Sequence, residues 1–311
     1  MTAAPDEAAA PQRTLGARLA EIANFLAPTT VITALLIYFG AVYTDGRLAY
    51  YGIQLGLADL STQDLVIYGT EAIFGPLALL LIAVVLALAG HAVVTWVLSD
   101  ESRTTAGLLT AAGVALIGLL LTARAVLGLL VPAVYRNEST ALTPLTLSVG
   151  PAMLAYAGWI AGQILTRDPH GRMHRWYMAD QAGRVRRAAV VSIVVLALAG
   201  LFWATNRVAF TLGLNRSYDE AVDPRRAYQV VLDTREPLPA LPEGVVEQRL
   251  TGAGEDGFGY RYRGFRLILE SGGRLFLAPV TWTRDSRTWV IGYDNSVRLQ
   301  VIPPPANLVP G

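Results

Sequence analysis

The sequence predicts an α-helical integral membrane protein of about five spans, followed by a small C-terminal antiparallel β domain. Three observations predict it. Of 311 residues, 53% are hydrophobic and only 16% are charged, where a soluble chain carries about a quarter charged. Five apolar runs are each long enough to cross about 30 Å of hydrocarbon, which takes roughly 20 helical residues. After Phe210 the apolar pattern changes from long runs to a period of two, the signature of strands.

The spans are read as Asn24–Thr44, Ala72–Leu98, Ala106–Val131, Thr146–Leu165 and Ala188–Phe210. Asn24, Pro28, Thr29 and Thr30 dilute the first, and Pro151 and Gln163 dilute the fourth. Ahead of them, residues 1–23 are Ala/Pro-rich and polar, the composition of a disordered tail. Leu15, Leu19, Ile22 and Leu26 share one helical face, so an amphipathic turn is expected to feed the first span. A cleaved signal peptide is the competing reading; the apolar stretch is longer than an h-region and lacks a small-x-small cleavage site.

Arginine placement orients the chain. Between spans four and five stand Arg167, Arg172, Arg175, Arg184, Arg186 and Arg187 against Asp168 and Asp180. Between spans one and two, Arg47 stands against Asp45, Asp59, Asp64 and Glu71. The basic segment is expected in the cytoplasm with the N-terminus, and the region after Phe210 outside the cell membrane.

In that outer region, Gly259–Glu270 and Arg274–Pro279 alternate apolar and polar residues around the tight-turn sequence Ser271-Gly272-Gly273. Thr288–Tyr293 and Val297–Ile302 read as a second hairpin turned at Asp294-Asn295. An earlier strand is expected at Ala227–Asp233, ended by Pro237, Pro239 and Pro242. About five strands over residues 218–302 fit a small sandwich or half-barrel. A domain this small buries little by itself, so it is expected to lean on the helix ends or the first outer loop. Residues 303–311 form a Pro-rich irregular tail.

Composition also excludes functions. The net charge of +1 argues against a nucleic-acid partner. With no cysteine there is no disulfide, thiol catalysis or thiolate metal site. All 25 basic residues are arginine, which codon bias in a GC-rich, actinobacterial genome would produce. No GxSxG, GxGD, Walker A or HExxH sequence occurs, so the reading is non-enzymatic, with no cofactor and no metal.

Several residues stand out as candidates. Ser61-Thr62-Gln63-Asp64 fits a capping box, with Ser61 and Asp64 exchanging backbone N–H bonds; the helix it opens is expected at the membrane surface before Pro76 starts the second span. A ligand-binding loop is the alternative. Glu71, Arg124 and Arg207 fall at similar outer depth, and an intramembrane arginine needs a partner. A Glu71–Arg124 pair with Arg207 nearby is therefore expected, as a fastening or as the lining of an anion-accessible vestibule. His91 could relay protons, but reads better as a packing histidine, with Gln163 a partner at inner depth. His170 and His174 are four apart without a metalloprotease glutamate. Their surroundings, through Arg172, Arg175, Trp176, Arg184, Arg186 and Arg187, read as a segment touching anionic lipid headgroups. Gly158 and Gly162 form a GxxxG, a packing signal within the chain or between copies.

Thr33-Ala-Leu-Leu-Ile-Tyr-Phe-Gly40, Ser61-Thr62-Gln63-Asp64, Tyr260-Arg-Tyr-Arg-Gly-Phe-Arg-Leu267 and Gly272-Gly273-Arg274-Leu-Phe-Leu-Ala-Pro279 resemble a family of multi-pass membrane proteins in actinobacteria. The resemblance spans most of the chain. It implies the same architecture and supplies no mechanism. Two function classes remain: an envelope protein presenting a β-module to a protein partner, the cell wall or a second copy, and an oligomeric channel or transporter lined by Arg124, Arg207, His91 and Gln163.

Overall fold

The structure, a computed structural model, describes residues 15–100, 103–136, 138–165, 180–223, 228–250, 257–283 and 285–303. Helices α1 (Leu15–Ala49), α2 (Thr62–Ser99), α3 (Thr104–Leu130), α4 (Pro132–Arg136), α5 (Leu142–Leu165) and α6 (Asp180–Val222) precede strands β1 (Gln229–Thr234), β2 (Val246–Arg249), β3 (Tyr260–Ser271), β4 (Arg274–Pro279), β5 (Trp289–Gly292) and β6 (Val297–Ile302). Among the described residues, 5 helices are long and apolar enough to cross a membrane. Of the tail expected over residues 1–23, the part from Leu15 on is helical and belongs to α1; the rest lies outside those residues, as does the Pro-rich tail after Pro303.

Helix boundaries depart from the expected spans in an instructive way. The surface helix predicted at Ser61 and the second span are one continuous helix, with Pro76 inside it. Proline removes one backbone bond, and a membrane helix tolerates the loss where neighbours satisfy the freed carbonyl. The capping box that starts α2 is formed. Asp64 N–H donates to Ser61 Oγ at 3.2 Å, and Ser61 N–H donates back to the Asp64 carboxylate at 3.1 Å. Ser61→Ala is expected to cost about 1 kcal/mol, read as earlier hydrogen exchange in the first turn of α2 with the rest of the helix unchanged. The fifth spanning helix overruns its apolar stretch at both ends. Its 43 residues measure about 64 Å, and it continues through residue 218, where a β domain was expected to begin.

Glycine sets how closely these helices approach. A Cβ at Gly40 would overlap the Leu65 carbonyl, and one at Gly69 the Leu36 carbonyl, so α1 and α2 cross backbone to backbone. Gly46 against Phe210 and Gly213 against Tyr43 make the same reciprocal contact between α1 and α6. Gly118 and Gly150 join α3 to α5, and Gly200 meets Pro144 and Ser148 across α5 and α6. Small residues serve this purpose in lipid, where burial of apolar area alone does not drive helices together. Of the GxxxG pair, Gly158 faces open space and Gly162 is buried.

The strands form one antiparallel sheet in the order β5-β4-β3-β1-β6, with β2 paired to the first part of β3. The β3–β4 hairpin turns at Gly272 and Gly273, both at positive φ, as expected. The second expected hairpin does not exist. β5 pairs with β4 and β6 with β1, at opposite edges of the sheet. Yet Tyr293 N–H still bonds the Gly273 carbonyl, and the Ser296 carbonyl already accepts from Arg235. Three peptide steps, at most about 11 Å, therefore link edges that a flat sheet would hold about 19 Å apart. The sheet must be rolled, which favours the half-barrel over the sandwich.

Gly264 (φ 99°) makes the roll possible. On its N-terminal side β3 pairs with β2, and on its C-terminal side with β4. A Cβ there would overlap the Gly244 carbonyl, so only glycine fits the kink. The roll encloses Val230, Leu232, Tyr262, Phe265, Leu275 and Leu277. β4 is buried on both faces: Phe276 and Ala278 point the other way, with Ile268, onto Leu48, Tyr51, Ile53 and Ala58 at the end of α1 and in the loop after it. The sheet thus leans on the end of α1 and the loop that follows it.

Candidate functional site

A polar joint binds the sheet to the bundle. The side chain of Arg266, on β3, is 1% exposed and pairs with no carboxylate among the described residues. Its Nη1 donates to the Glu220 carbonyl at 2.6 Å, its Nε to the Pro279 carbonyl at 3.2 Å, and its Nη2 to the Val280 carbonyl. Glu220 belongs to the last turn of α6, where carbonyls lack helical donors and the helix dipole favours a cation. One planar guanidinium thus ties the end of α6 to both strands of the hairpin, a task that needs its fixed fork of donors. The Glu220 carboxylate meanwhile accepts from Arg47 of α1 at 3.3 Å and Arg216 at 3.0 Å. Ser217 Oγ donates to the Arg47 carbonyl at 2.8 Å, and the Tyr51 hydroxyl to the Ser217 carbonyl at 3.3 Å. Burial pushes the Tyr51 phenol up to about 12, which keeps it a neutral donor. The sequence reading missed this joint, because an arginine in an alternating strand looks solvated. The available signal was Gly264: the kink shifts the alternation and turns Arg266 to the face shared with Ile268.

A second cluster lies on the same face of the sheet as Arg266, at the other end of β1. Asp233 of β1 is fully buried, and its carboxylate accepts two bonds from Arg261 (2.7 and 2.9 Å) and two from Arg298 (3.1 and 2.8 Å). Both arginines stand opposite Asp233 in the pairing register. The Arg298 guanidinium also covers the Phe258 ring at 4.6 Å, and Arg263 is exposed beside them. Hydrogen bonding from Arg261, with Arg298 adding to it against the cost of burial, holds the Asp233 carboxyl below its usual range. Its stabilising effect is therefore full above the unfolded carboxyl value near 3.9 and is lost as pH falls through the lower folded value. Asp233→Asn is expected to destabilise the β domain by about 2 kcal/mol at neutral pH, the exposure of Arg298 moderating the loss. Urea unfolding followed by β-domain fluorescence should show this variant less sensitive to pH than the parent across that window, with Asp294, also held low by Ser296, supplying what dependence is left.

The intramembrane candidates are each paired locally, and not as expected. Arg124 bonds Glu138 at 2.6 Å, not Glu71. Glu138, 2% exposed at its side chain, also accepts from the Thr143 hydroxyl (2.6 Å) and backbone N–H (3.2 Å). Burial raises its carboxyl, but the bonds from Thr143 and Arg124 outweigh burial and hold it low. The depth argument failed because Glu138 lies in the connection after α4, and the Arg124 guanidinium reaches past Gly128 toward the end of α3 to meet it. Glu71 instead serves the Tyr43 hydroxyl. Arg207 donates its Nε to the Thr140 carbonyl at 3.2 Å, in that same connection. His91 Nδ1 meets the Tyr156 hydroxyl at 2.8 Å, beside Trp159, so Tyr156 takes the partner role expected of Gln163. Arg184, Arg186 and Arg187 line the exposed start of α6. Arg172, Arg175, Trp176, His170 and His174 lie outside the described residues. No cluster of three metal-ligating side chains occurs among the described residues.

Fold and polar clusters together define a polytopic membrane protein whose last helix carries a rolled β-sheet. Comparison with protein families, curated proteins and solved structures finds no match to this chain.

Proposed function

We propose that this protein is a non-enzymatic cell-envelope component that holds its β-module on the outer side of a bacterial membrane, for contact with a protein partner, the wall or a second copy of itself. The observation that carries the reading is the Arg266 joint. An arginine buried against three carbonyls of two elements, backed by the Phe276 cluster, makes the module a rigid extension of α6. A rigid mount suits presentation, and the Asp233–Arg261–Arg298 cluster lies at the other end of β1 from the Arg266 joint. The outward orientation rests on the arginine-rich start of α6, and the actinobacterial affiliation on the all-arginine basic complement.

Local pairing argues against the channel or transporter reading. Arg124, Arg207 and His91 are each held by a neighbour, whereas a conduction path needs polar groups facing a shared lumen. A photo-crosslinker at exposed Arg263 in native membranes is expected to capture a partner or a second copy. Absence of any adduct, together with unitary currents from the purified protein in planar bilayers, would overturn the proposal.

A further inference from the structure

A cleft of about 580 Å³ opens between α1 and α6 near the β-domain end of the bundle, lined by Tyr38, Val42, Asp45, Asn206, Arg207 and Phe210 among others. It combines opposite charges in a fixed order. The two helices run in the same direction: Phe39 packs on Phe202, Tyr38 meets Asn206, and farther along Arg47 meets Ser217. Asp45, seven residues past Tyr38, therefore lies about 8 Å nearer the β domain than Arg207. Asn206 and Tyr38 sit at the Arg207 level, where the Tyr38 hydroxyl donates to Asn206 Oδ1 at 3.0 Å. That bond leaves the Asn206 amide N–H groups as donors. The Arg207 Nε is anchored on the Thr140 carbonyl. Asp45 is half-buried at the end of an apolar span and makes no hydrogen bond or ion pair with another described residue. A carboxylate in that setting calls for a cation.

We propose that this cleft binds the headgroup of phosphatidylethanolamine from the leaflet on the β-domain side. The phosphate sits against the Arg207 guanidinium and the Asn206 amide, since arginine is well suited to phosphate oxygens. The ammonium, one ethylene unit farther out, donates its N–H groups to the Asp45 carboxylate. Val42 and Phe210, between the Arg207 and Asp45 levels, flank the ethylene unit that joins phosphate to ammonium. The vertical order of the site, cation deeper and anion nearer the surface, matches a lipid whose tails point to the bilayer centre. Phosphatidylcholine offers a cation without N–H donors, and phosphatidylglycerol offers none. The inference concerns the bundle alone and does not depend on what the β-module contacts.

The test uses the full chain, purified into nanodiscs of defined mixtures and stripped by detergent before lipid is counted by native mass spectrometry. Retention of phosphatidylethanolamine is expected to exceed that of phosphatidylcholine roughly tenfold, equivalent to about 1.4 kcal/mol. Asp45→Asn should abolish that discrimination, and Arg207→Gln should lower retention of all phospholipids. Equal retention by the parent protein, or discrimination that survives Asp45→Asn, would overturn the proposal. So would soluble phosphoethanolamine displacing the lipid at equal concentration, which would make the ligand a solute. If Asp45→Asn does not fold, the parent comparison decides alone.

Discussion

Replacing Arg266 with leucine is expected to uncouple the β domain from the helical bundle while leaving the bundle in place. Three carbonyls, of Glu220, Pro279 and Val280, lose their donor together. Each buried acceptor left unsatisfied costs about 1–3 kcal/mol, so the joint should weaken by on the order of 3–5 kcal/mol, as for a broken buried charge network. Lysine would not rescue it, because an ammonium on a flexible stem cannot meet three divergent acceptors as a planar fork does. The readout is limited proteolysis between α6 and β1, with hydrogen exchange across β3 and β4. The variant should be cut in that connection far faster than the parent, and the docked face carrying Ile268, Phe276 and Ala278 should lose protection. Unchanged cleavage and protection would mean that the apolar cluster alone holds the domain.

Gly213→Val is expected to have an effect at least as large, and on the bundle itself. A Cβ at Gly213 would overlap the Tyr43 carbonyl and press on the Arg47 amide. These are backbone atoms of α1, which cannot move aside as a side-chain tip can. Overpacking a core typically costs about 1–3 kcal/mol, and here α1 and α6 would also have to separate along their shared seam. Separation would pull apart Gly46 and Phe210, then the Ser217 and Glu220 bonds to Arg47 above them. The expected outcome is loss of monodisperse protein on size exclusion in mild detergent, with lower expression. Gly158→Val is the matched control, since nothing lies within 4 Å of a Cβ there. It should be neutral. A Gly158 variant that disrupts the protein while the Gly213 variant does not would reverse the assignment of which glycines bring helices together.

This pair of glycines also marks what could be read from the sequence. Apolar run length revealed the spans, because lipid requires it of any helix that crosses. Local hydrogen-bond chemistry revealed the cap at Ser61 and Asp64 and the turn at Gly272 and Gly273, because each involves residues within four positions of one another. Contacts between distant segments were not legible. Of the recognisable motif, Gly158 faces open space while Gly162 is buried, and Gly40, Gly46, Gly69 and Gly213 form crossings without any motif. The strands β5 and β6 are adjacent in sequence, and alternation alone suggests a hairpin. Their true neighbours, β4 and β1, are set by the kink at Gly264 and the roll of the whole sheet.

The polar residues follow the same division. Arg124 and Arg207 were recognisable as costly groups needing partners, since an arginine in hydrocarbon always does. Which partner each found was decided by the connection between α4 and α5, whose Glu138 and Thr140 meet the two arginines. Arg266 was invisible as a joint for a related reason. Its acceptors are backbone carbonyls, and every residue has one, so no residue type in the sequence pointed to them.

The central claim is that the chain crosses the membrane an odd number of times and mounts its β-sheet on the outer side. Because the chain has no cysteine, a single Asn295→Cys or Arg187→Cys variant reports its own location without further engineering. Asn295 lies exposed between β5 and β6, and Arg187 is exposed near the start of α6. In intact cells a membrane-impermeant maleimide should label the cysteine at 295 and reach the one at 187 only after lysis. Labelling at 187 with protection at 295, or labelling of both before lysis, would contradict the account.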